Sequence, residues 1–222
     1  MSNGTQRAGI AALGACIALL TGAVLPSRLV GQQVEVTPFV GLYLPTSSVI
    51  QETAVGLTVS GKHGTTFLFG ARLTYWTSPS VGLEASLGYT PSSMTFSVDT
   101  GGVRVGSADT SAHVILGSAR VLYKVGPKGG DTDIHLLAGV GFISHGGAAY
   151  DLLGQGGGGI SGTTDIGGVV GASVRFRVSA KLKARVDVED NLYSAKFNIG
   201  GAETTSHFQN DIAVSLGLAI PL

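Results

Sequence analysis

The chain has 222 residues with 14 basic and 14 acidic side chains, so its formal net charge is zero, which fits a single domain and excludes the positive excess of a nucleic-acid-binding protein. Only 13% of the residues are charged, 35 are glycine, and the mean hydropathy is +0.35, which excludes a disordered chain. We therefore expect part of the folded surface to face something other than water.

The N-terminal 31 residues have the pattern of a secretory signal peptide. Arg7 is followed by an uncharged, mainly apolar run over residues 8–25, and residues 26–28 (PSR) end that run. We predict cleavage near Gly31, so that residues 1–31 are the signal peptide and residues 32–222 form the mature domain. The apolar run is at the lower end of membrane-spanning length, so an uncleaved transmembrane helix is the alternative.

The single cysteine, Cys16, lies within this N-terminal segment. Residues 13–16 (LGAC) resemble a lipoprotein processing box, which would make Cys16 a lipid attachment site. However, the apolar run continues past Cys16, whereas that box ends the hydrophobic region. Cleavage near Gly31 would leave a mature protein without cysteine and therefore without a disulfide.

Eight segments after residue 31 alternate between large apolar side chains and polar or small ones, which is the period-two pattern of a β-strand with two unlike faces. They span residues 34–44, 65–76, 81–90, 112–124, 133–144, 166–178, 182–193 and 207–222. In the last of them the even positions from Ile212 to Ile220 are large and apolar. No second long apolar run follows the signal peptide, so the mature chain is predicted to contain no spanning helix.

The connections between these segments alternate in length. Long ones cover residues 45–64, 91–111, 145–165 and 196–206, and the three connections between them are short. Long loops at one end and tight turns at the other are typical of an up-and-down outer-membrane barrel, with the turns in the periplasm. Segments of about ten residues fit a tilted membrane crossing, and eight strands enclose an interior that side chains fill.

A soluble barrel of the lipocalin kind is the competing interpretation, because it shows the same alternation turned inside out. The less apolar face consists mainly of Gly, Ser, Thr and Ala, which suits a narrow lumen better than a solvated exterior. Aromatic residues also cluster near the strand ends, as in the two girdles of membrane barrels. They are Tyr75, Trp76, Tyr123 and Phe176 near the short turns, and Phe67, Tyr89, Phe142 and Phe208 near the long loops.

The region after the signal peptide resembles the OmpA/OmpX-like family of small bacterial outer-membrane barrels. Residues 36–41 (VTPFVG), the eight-strand rhythm and the alternation over residues 211–218 carry the resemblance. It implies an all-β, eight-stranded antiparallel up-and-down transmembrane β-barrel in the bacterial outer membrane. Family members usually end in an aromatic residue that the assembly machinery reads, whereas this chain ends in residues 220–222 (IPL).

The partners expected for such a barrel are outer-membrane lipid and lipopolysaccharide, together with the barrel assembly machinery during biogenesis. We expect a monomer that binds no nucleic acid and requires no cofactor. No domain is expected after the last strand, and therefore no peptidoglycan-binding module.

Charged residues of both signs fall on the strand face predicted to line the lumen. The six basic and six acidic positions are Arg72, Arg120, Arg175, Arg177, Lys183 and Arg185, and Glu35, Glu84, Asp133, Asp187, Glu189 and Asp211. A turn centred on Ser78 would place Arg72 directly opposite Glu84. Because buried charges must be paired, we predict a salt-bridged plug, with a gated narrow pore as the alternative. A selective anion pore would show an excess of positive charge.

Four of the five histidines fall near the loop end, which raises the possibility of a metal site. They are His63, His113, His145 and His207. However, His113 has the lipid-facing parity of its strand and His145 the lumen-facing parity of the next, so their side chains should point apart. We predict no metal site.

An enzyme with this architecture would resemble the outer-membrane lipid A deacylases, which carry a serine and a histidine two residues apart on the lipid face. Here Ser144 and His145 are adjacent, as are Ser206 and His207. Adjacent residues lie on opposite faces of a strand, which is the wrong geometry for a nucleophile and its base. The glycine run over residues 156–159 lacks the following Lys-Ser/Thr of a phosphate-binding loop.

The sequence therefore predicts a non-enzymatic outer-membrane barrel with exposed surface loops and a structural, anchoring or adhesive role. A low-conductance pore for small solutes is the first alternative. A lipid A-modifying enzyme is the second.

Overall fold

The computed structural model describes residues 33–46, 50–54, 57–100, 103–125, 131–149, 164–179, 181–195, 198–199, 202–203 and 207–222. The predicted signal peptide, its cleavage near Gly31 and the single Cys16 all lie outside the described residues. Over the described part of the chain, no helix is both long and apolar enough to cross a membrane.

Eight long antiparallel strands form a closed wall. They are β1 (Gln33–Pro45), β4 (Thr66–Trp76), β5 (Val81–Thr100), β6 (Val103–Val125), β7 (Thr132–Gly146), β8 (Thr164–Arg177), β9 (Lys183–Ala195) and β12 (His207–Pro221). Each pairs with the next along the chain, and β1 pairs with β12 to close the ring. Four short strands lie in the connections: β2 (Ile50–Ala54), β3 (Leu57–His63), β10 (Asn198–Ile199) and β11 (Ala202–Glu203). The predicted eight-stranded up-and-down barrel is confirmed.

Three connections predicted as loops contain regular β-structure, and the shortest piece is the β10–β11 pair within residues 196–206. Residues 91–111 continue β5 and β6, which pair as far as Thr100 and Val103, with one register shift between Val98 and Asp99. Residues 45–64 contain the β2–β3 hairpin, whose second strand pairs with the upper half of β5. The barrel wall therefore continues beyond the ring as a sheet at the loop end.

Pro91 explains why the sequence favoured a loop at this point. Pairing of β5 with β4 ends at Tyr89 and Phe69, and pairing of β5 with β3 begins at Met94 opposite His63. Pro91 lies between the β4–β5 ladder and the β3–β5 ladder, so its missing N–H costs no hydrogen bond to β4 or β3. The strand can therefore continue through a residue that commonly ends one.

The two faces of the wall differ as the alternation predicts. Val140, Ile166 and Leu216 are 64%, 82% and 56% exposed on the outside, whereas Arg185 and Asp187 are fully buried within the ring. This is the reverse of a lipocalin-like barrel, which turns its apolar face inward. An apolar exterior and a charged interior are expected of a barrel surrounded by lipid.

Exposed aromatic rings mark both ends of the apolar band. Tyr123 and Phe176 are exposed near the short turns, and Phe67, Tyr89 and Phe208 near the long connections. Trp76 was wrongly assigned to this girdle. It is only 7% exposed, because the even positions of β4 point into the lumen.

Gly139 on β7 lies where the wall leaves no room for a side chain, since a Cβ there would come within 2.2 Å of the Ala119 carbonyl oxygen. We expect Gly139→Ala to destabilise the barrel by about 2 kcal/mol through overpacking. Urea unfolding of the refolded protein measures this change. Gly106→Ala is the matched control, because a Cβ at Gly106 meets nothing within 4 Å. Equal urea midpoints for the two variants would contradict the tight approach of β6 and β7.

Candidate functional site

Nine of the twelve residues predicted to line the lumen are buried inside the ring. They are Glu35, Arg72, Glu84, Arg120, Arg175, Arg185, Asp187, Glu189 and Asp211. Asp133 and Lys183 are half-buried near the short turns, and Arg177 is exposed at that end, 3.7 Å from Asp131. The structure thus brings most of the predicted charges into one confined space.

Glu84 is the centre of the network. Arg120 lies directly across from it on β6, with its Nη2 2.7 Å and its Nε 2.9 Å from Oε1. Arg185, on the opposite wall, donates to both oxygens of the same carboxylate, at 3.0 Å for Nη2 to Oε1. Thr74 Oγ1 adds a hydrogen bond of 2.5 Å to Oε2. Glu84 therefore ties β4, β5, β6 and β9 together across the lumen.

The predicted direct pairing of Arg72 with Glu84 is wrong by two residues. Arg72 lies opposite Ser86, and Thr74 lies opposite Glu84. The cause is the turn, which centres on Pro79 because the N–H of Thr77 binds the Val81 carbonyl at 3.0 Å. A shift of one residue in the turn centre moves every cross-strand pair by two. Arg72 still comes within 4.0 Å of Glu84, by way of its Nε.

Arg72 completes the network from the other side. It lies 3.3 Å from Asp187 and 2.7 Å from Glu189, and it donates to Ser215 Oγ at 2.8 Å. Its guanidinium also lies over the Phe39 ring, 3.8 Å from the ring centre.

Two further ion pairs close the central cluster. Arg120 Nη1 binds Glu189 at 2.7 Å, and Arg185 Nη2 binds Asp187 at 2.7 Å. We call this set the central charge network: Arg72, Arg120 and Arg185 with Glu84, Asp187 and Glu189. Three guanidinium groups meet three carboxylates, so the network is neutral as a whole.

Two smaller clusters of charged residues lie toward the short turns. Arg175 binds Glu35, which also accepts a hydrogen bond of 2.8 Å from the Trp76 indole. Asp133 binds Lys183 at 3.3 Å and also Lys124. Sequence reasoning missed Lys124, although it has the same strand parity as Arg120. It also missed that Trp76 points into the lumen, although its even position on β4 indicates that orientation.

At the loop end, Asp211 is buried without a basic partner among the described residues. Its Oδ2 accepts hydrogen bonds from Tyr43 at 2.5 Å and from Tyr193 at 2.7 Å. The His145 ring lies 6.0 Å from the Tyr193 ring and 5.4 Å from the His63 ring. Tyrosine hydroxyls therefore satisfy a carboxylate for which the sequence suggested a cationic partner.

The histidines near the loop end separate into two environments. The side chains of His145, in the lumen, and His63, at the end of the external β2–β3 hairpin, are both buried. Burial lowers the pKa of His63 to about 4. His113 instead stacks on Tyr89, with ring centres 5.8 Å apart. The side chain of His207 lies outside the described residues. Among the described side chains, no group of three or more His, Cys, Asp or Glu residues could hold a metal ion.

A small cavity adjoins the central charge network. A cavity of about 20 Å³ lies between Arg72 and Glu189 on one side and Phe39, Leu68 and Leu116 on the other. A cavity of this size holds about one water molecule. The arrangement can therefore close the lumen by ion pairing, and this cavity is too small for an organic substrate.

Removing Glu84 leaves one buried positive charge in excess, because three guanidinium groups then face two carboxylates. We expect Glu84→Ala to lower the free energy of unfolding by about 3–5 kcal/mol, measured by urea unfolding of the refolded barrel. Asp131→Ala is the control, since Asp131 and its partner Arg177 are both exposed and exposed pairs contribute little. If Glu84→Ala unfolds at the same urea concentration as the wild type, the network does not stabilise the barrel.

Several solved structures share this fold. OprG from Pseudomonas aeruginosa has a TM-score of 0.61 and 13% identity, covering 86% of this chain and 96% of that one. Neisserial surface protein A has a TM-score of 0.51 and 12% identity, covering 86% and 98%. AlkL, solved in lipid bilayers, has a TM-score of 0.50 and 13% identity, covering 89% and 94%.

The sequence itself matches no protein-family model and no curated protein. The structural matches extend over most of the barrel, and the neighbours are small outer-membrane proteins. At the level of the fold, they confirm the outer-membrane β-barrel that the OmpA/OmpX-like resemblance predicted. The chain has the fold of the small bacterial outer-membrane β-barrels, and its apolar exterior is the surface that such a barrel turns to lipid.

Proposed function

We propose that this protein is a non-enzymatic outer-membrane barrel whose lumen is plugged by ion pairs and whose external hairpins are held by a rigid wall. Its role is structural, anchoring or adhesive. The observation that carries the proposal is the central charge network, in which each arginine lies within 4.0 Å of carboxylates from two different strands.

The geometry of the network favours a plug over a gate. Glu84 on β5 and Arg185 on β9 stand on opposite walls of the ring, and their direct contact blocks the path between them. A solute could pass only if this pair and the Arg120–Glu84 and Arg72–Glu189 contacts separated together. Each separated charge would lie in a confined space with almost no water, which is costly.

Apolar packing reinforces the plug on both sides. Toward the loop end, Phe39, Leu68, Met94, Val114 and Ile143 form one buried cluster. Toward the short turns, a second buried cluster fills the lumen: Trp76, Leu122, Leu137 and Val169. A barrel filled in this way is suited to hold other segments in place.

The external sheet supports a role in display. β5 and β6 pair well beyond the ring, and Val103 and Val105 near the tip are 65% and 63% exposed. The exposed Arg104 forms an ion pair of 3.7 Å with the half-buried Asp99 beside them. This hairpin presents apolar and charged groups together to the outside, as an adhesive surface requires.

A non-enzymatic role is supported by the position of the serine and histidine considered for catalysis. Ser144 lies on the outer side of β7, and its Oγ accepts a hydrogen bond of 3.0 Å from Thr164 Oγ1. His145 points into the lumen and is 2% exposed. The second pair cannot be placed, since Ser206 lies outside the described residues.

A low-conductance pore is the second candidate, because polar and charged side chains line the lumen. Single-channel recording of the refolded protein in planar bilayers distinguishes the two functions. We expect no discrete conductance steps from the wild type, because the charge network closes the lumen, while a general porin in the same bilayers conducts. Reproducible steps that disappear in boiled samples would contradict the plug and support the pore.

A further inference from the structure

Within the closed ring, Asp190 is the one Asp, Glu, Lys or Arg on the outer face among the side chains that the structure describes. On β9 the inward positions are Arg185, Asp187 and Glu189, so Asp190 has the opposite orientation. It pairs with Val170 of β8 and Ile212 of β12. These neighbours are uncharged, and the inward-facing Asp211 beside Ile212 is close enough to interact electrostatically with Asp190.

Along the barrel axis, Asp190 lies closer to the middle of the membrane than the outer aromatic girdle does. β12 runs from the loop end toward the short turns, and Ile212, opposite Asp190, comes four residues after Phe208. Phe208 is 72% exposed and belongs to that girdle. The carboxyl group therefore lies just within the hydrocarbon region, close to the external headgroups.

The carboxyl group lacks a protein partner. Its Oδ1 is buried and accepts no hydrogen bond from the described residues. A charged group facing hydrocarbon is unfavourable, and such residues mark functional positions when they occur in membrane segments. A positively charged partner from the membrane would reduce this cost.

The surface next to Asp190 has room for a ligand on the external side. Gly168 of β8 and Asn210 of β12 both pair with Leu192, the next outward position on β9. A Cβ at Gly168 would meet no atom closer than 3.9 Å, so the surface is notched there. Asn210 accepts a hydrogen bond of 2.8 Å from Thr46 with its amide oxygen, which leaves its N–H groups as donors.

We propose that Asp190 and Asn210 form a lipid headgroup site on the outside of the barrel. The carboxylate binds a positive charge, and the asparagine amide donates to the adjacent phosphate. The positive charge is either an ammonium group of the headgroup or a divalent cation bound to its phosphate. The site rests on the lipid-facing orientation of the wall, and it does not depend on whether the lumen conducts.

The test compares the wild type with Asp190→Asn, which keeps the side-chain shape but cannot carry the negative charge. Both are refolded into vesicles of phosphatidylcholine alone, of phosphatidylcholine with phosphatidylethanolamine, and of phosphatidylcholine with phosphatidylglycerol plus either Ca²⁺ or a chelator. We expect the urea midpoint of the wild type to rise by roughly 0.5 M in the lipid that supplies the partner. Asp190→Asn should show no such rise.

The comparison of vesicle compositions identifies the source of the positive charge that binds Asp190. A rise with phosphatidylethanolamine assigns an ammonium group, and a rise that requires Ca²⁺ assigns a bridging cation. Asn210→Ala should reduce the rise, measured from the midpoint of the same variant in phosphatidylcholine alone, because the variant also loses the hydrogen bond from Thr46. Equal responses of the wild type and Asp190→Asn to every lipid would overturn the proposal.

A measurement on the wild type alone covers the case in which a variant does not refold. The ¹³C carboxyl shift of Asp190 should change when the partner lipid is added to phosphatidylcholine. An unchanged shift across all the vesicles would also overturn the proposal.

Discussion

The need to hydrogen-bond every backbone N–H and C=O group within hydrocarbon governs this structure. A sheet meets that need only when it closes on itself, and here β1 and β12 close the ring. Closure also fixes two unlike surfaces, because successive side chains of each strand point to opposite sides. The apolar exterior and the charged interior are therefore two consequences of one backbone constraint.

Closure at eight strands makes the interior narrow, and this determines what the charges can do. In a confined lumen an unpaired guanidinium or carboxylate is costly, so the side chains must neutralise one another. Arg185 and Glu84 do so across the full width of the ring, while Arg120 and Glu84 do so between neighbouring strands. Asp211 is satisfied differently, by two tyrosine hydroxyls, so hydrogen bonding replaces ion pairing near the loop end.

The sequence was sufficient to predict the strand number, the strand directions and most of the inward-facing charges, because all of these follow from period-two alternation. It placed Arg72 opposite the wrong residue because the turn centre can shift by one residue without changing the alternation. Trp76 was misplaced because its position near a strand end was weighed above its parity. The contact between Arg185 and Glu84 could not be predicted, since it depends on which strands face each other across the closed ring.

The orientation of the wall is tested most directly by fluorescence quenching with lipids brominated in the middle of their acyl chains. Trp76 is the only tryptophan of the chain, and its indole binds Glu35 inside the ring. In vesicles, we expect these lipids to quench native Trp76 weakly and to quench strongly a tryptophan introduced as Val140→Trp in a Trp76→Phe background. Strong quenching of native Trp76, with the introduced tryptophan quenched only by a water-soluble agent, would contradict the account.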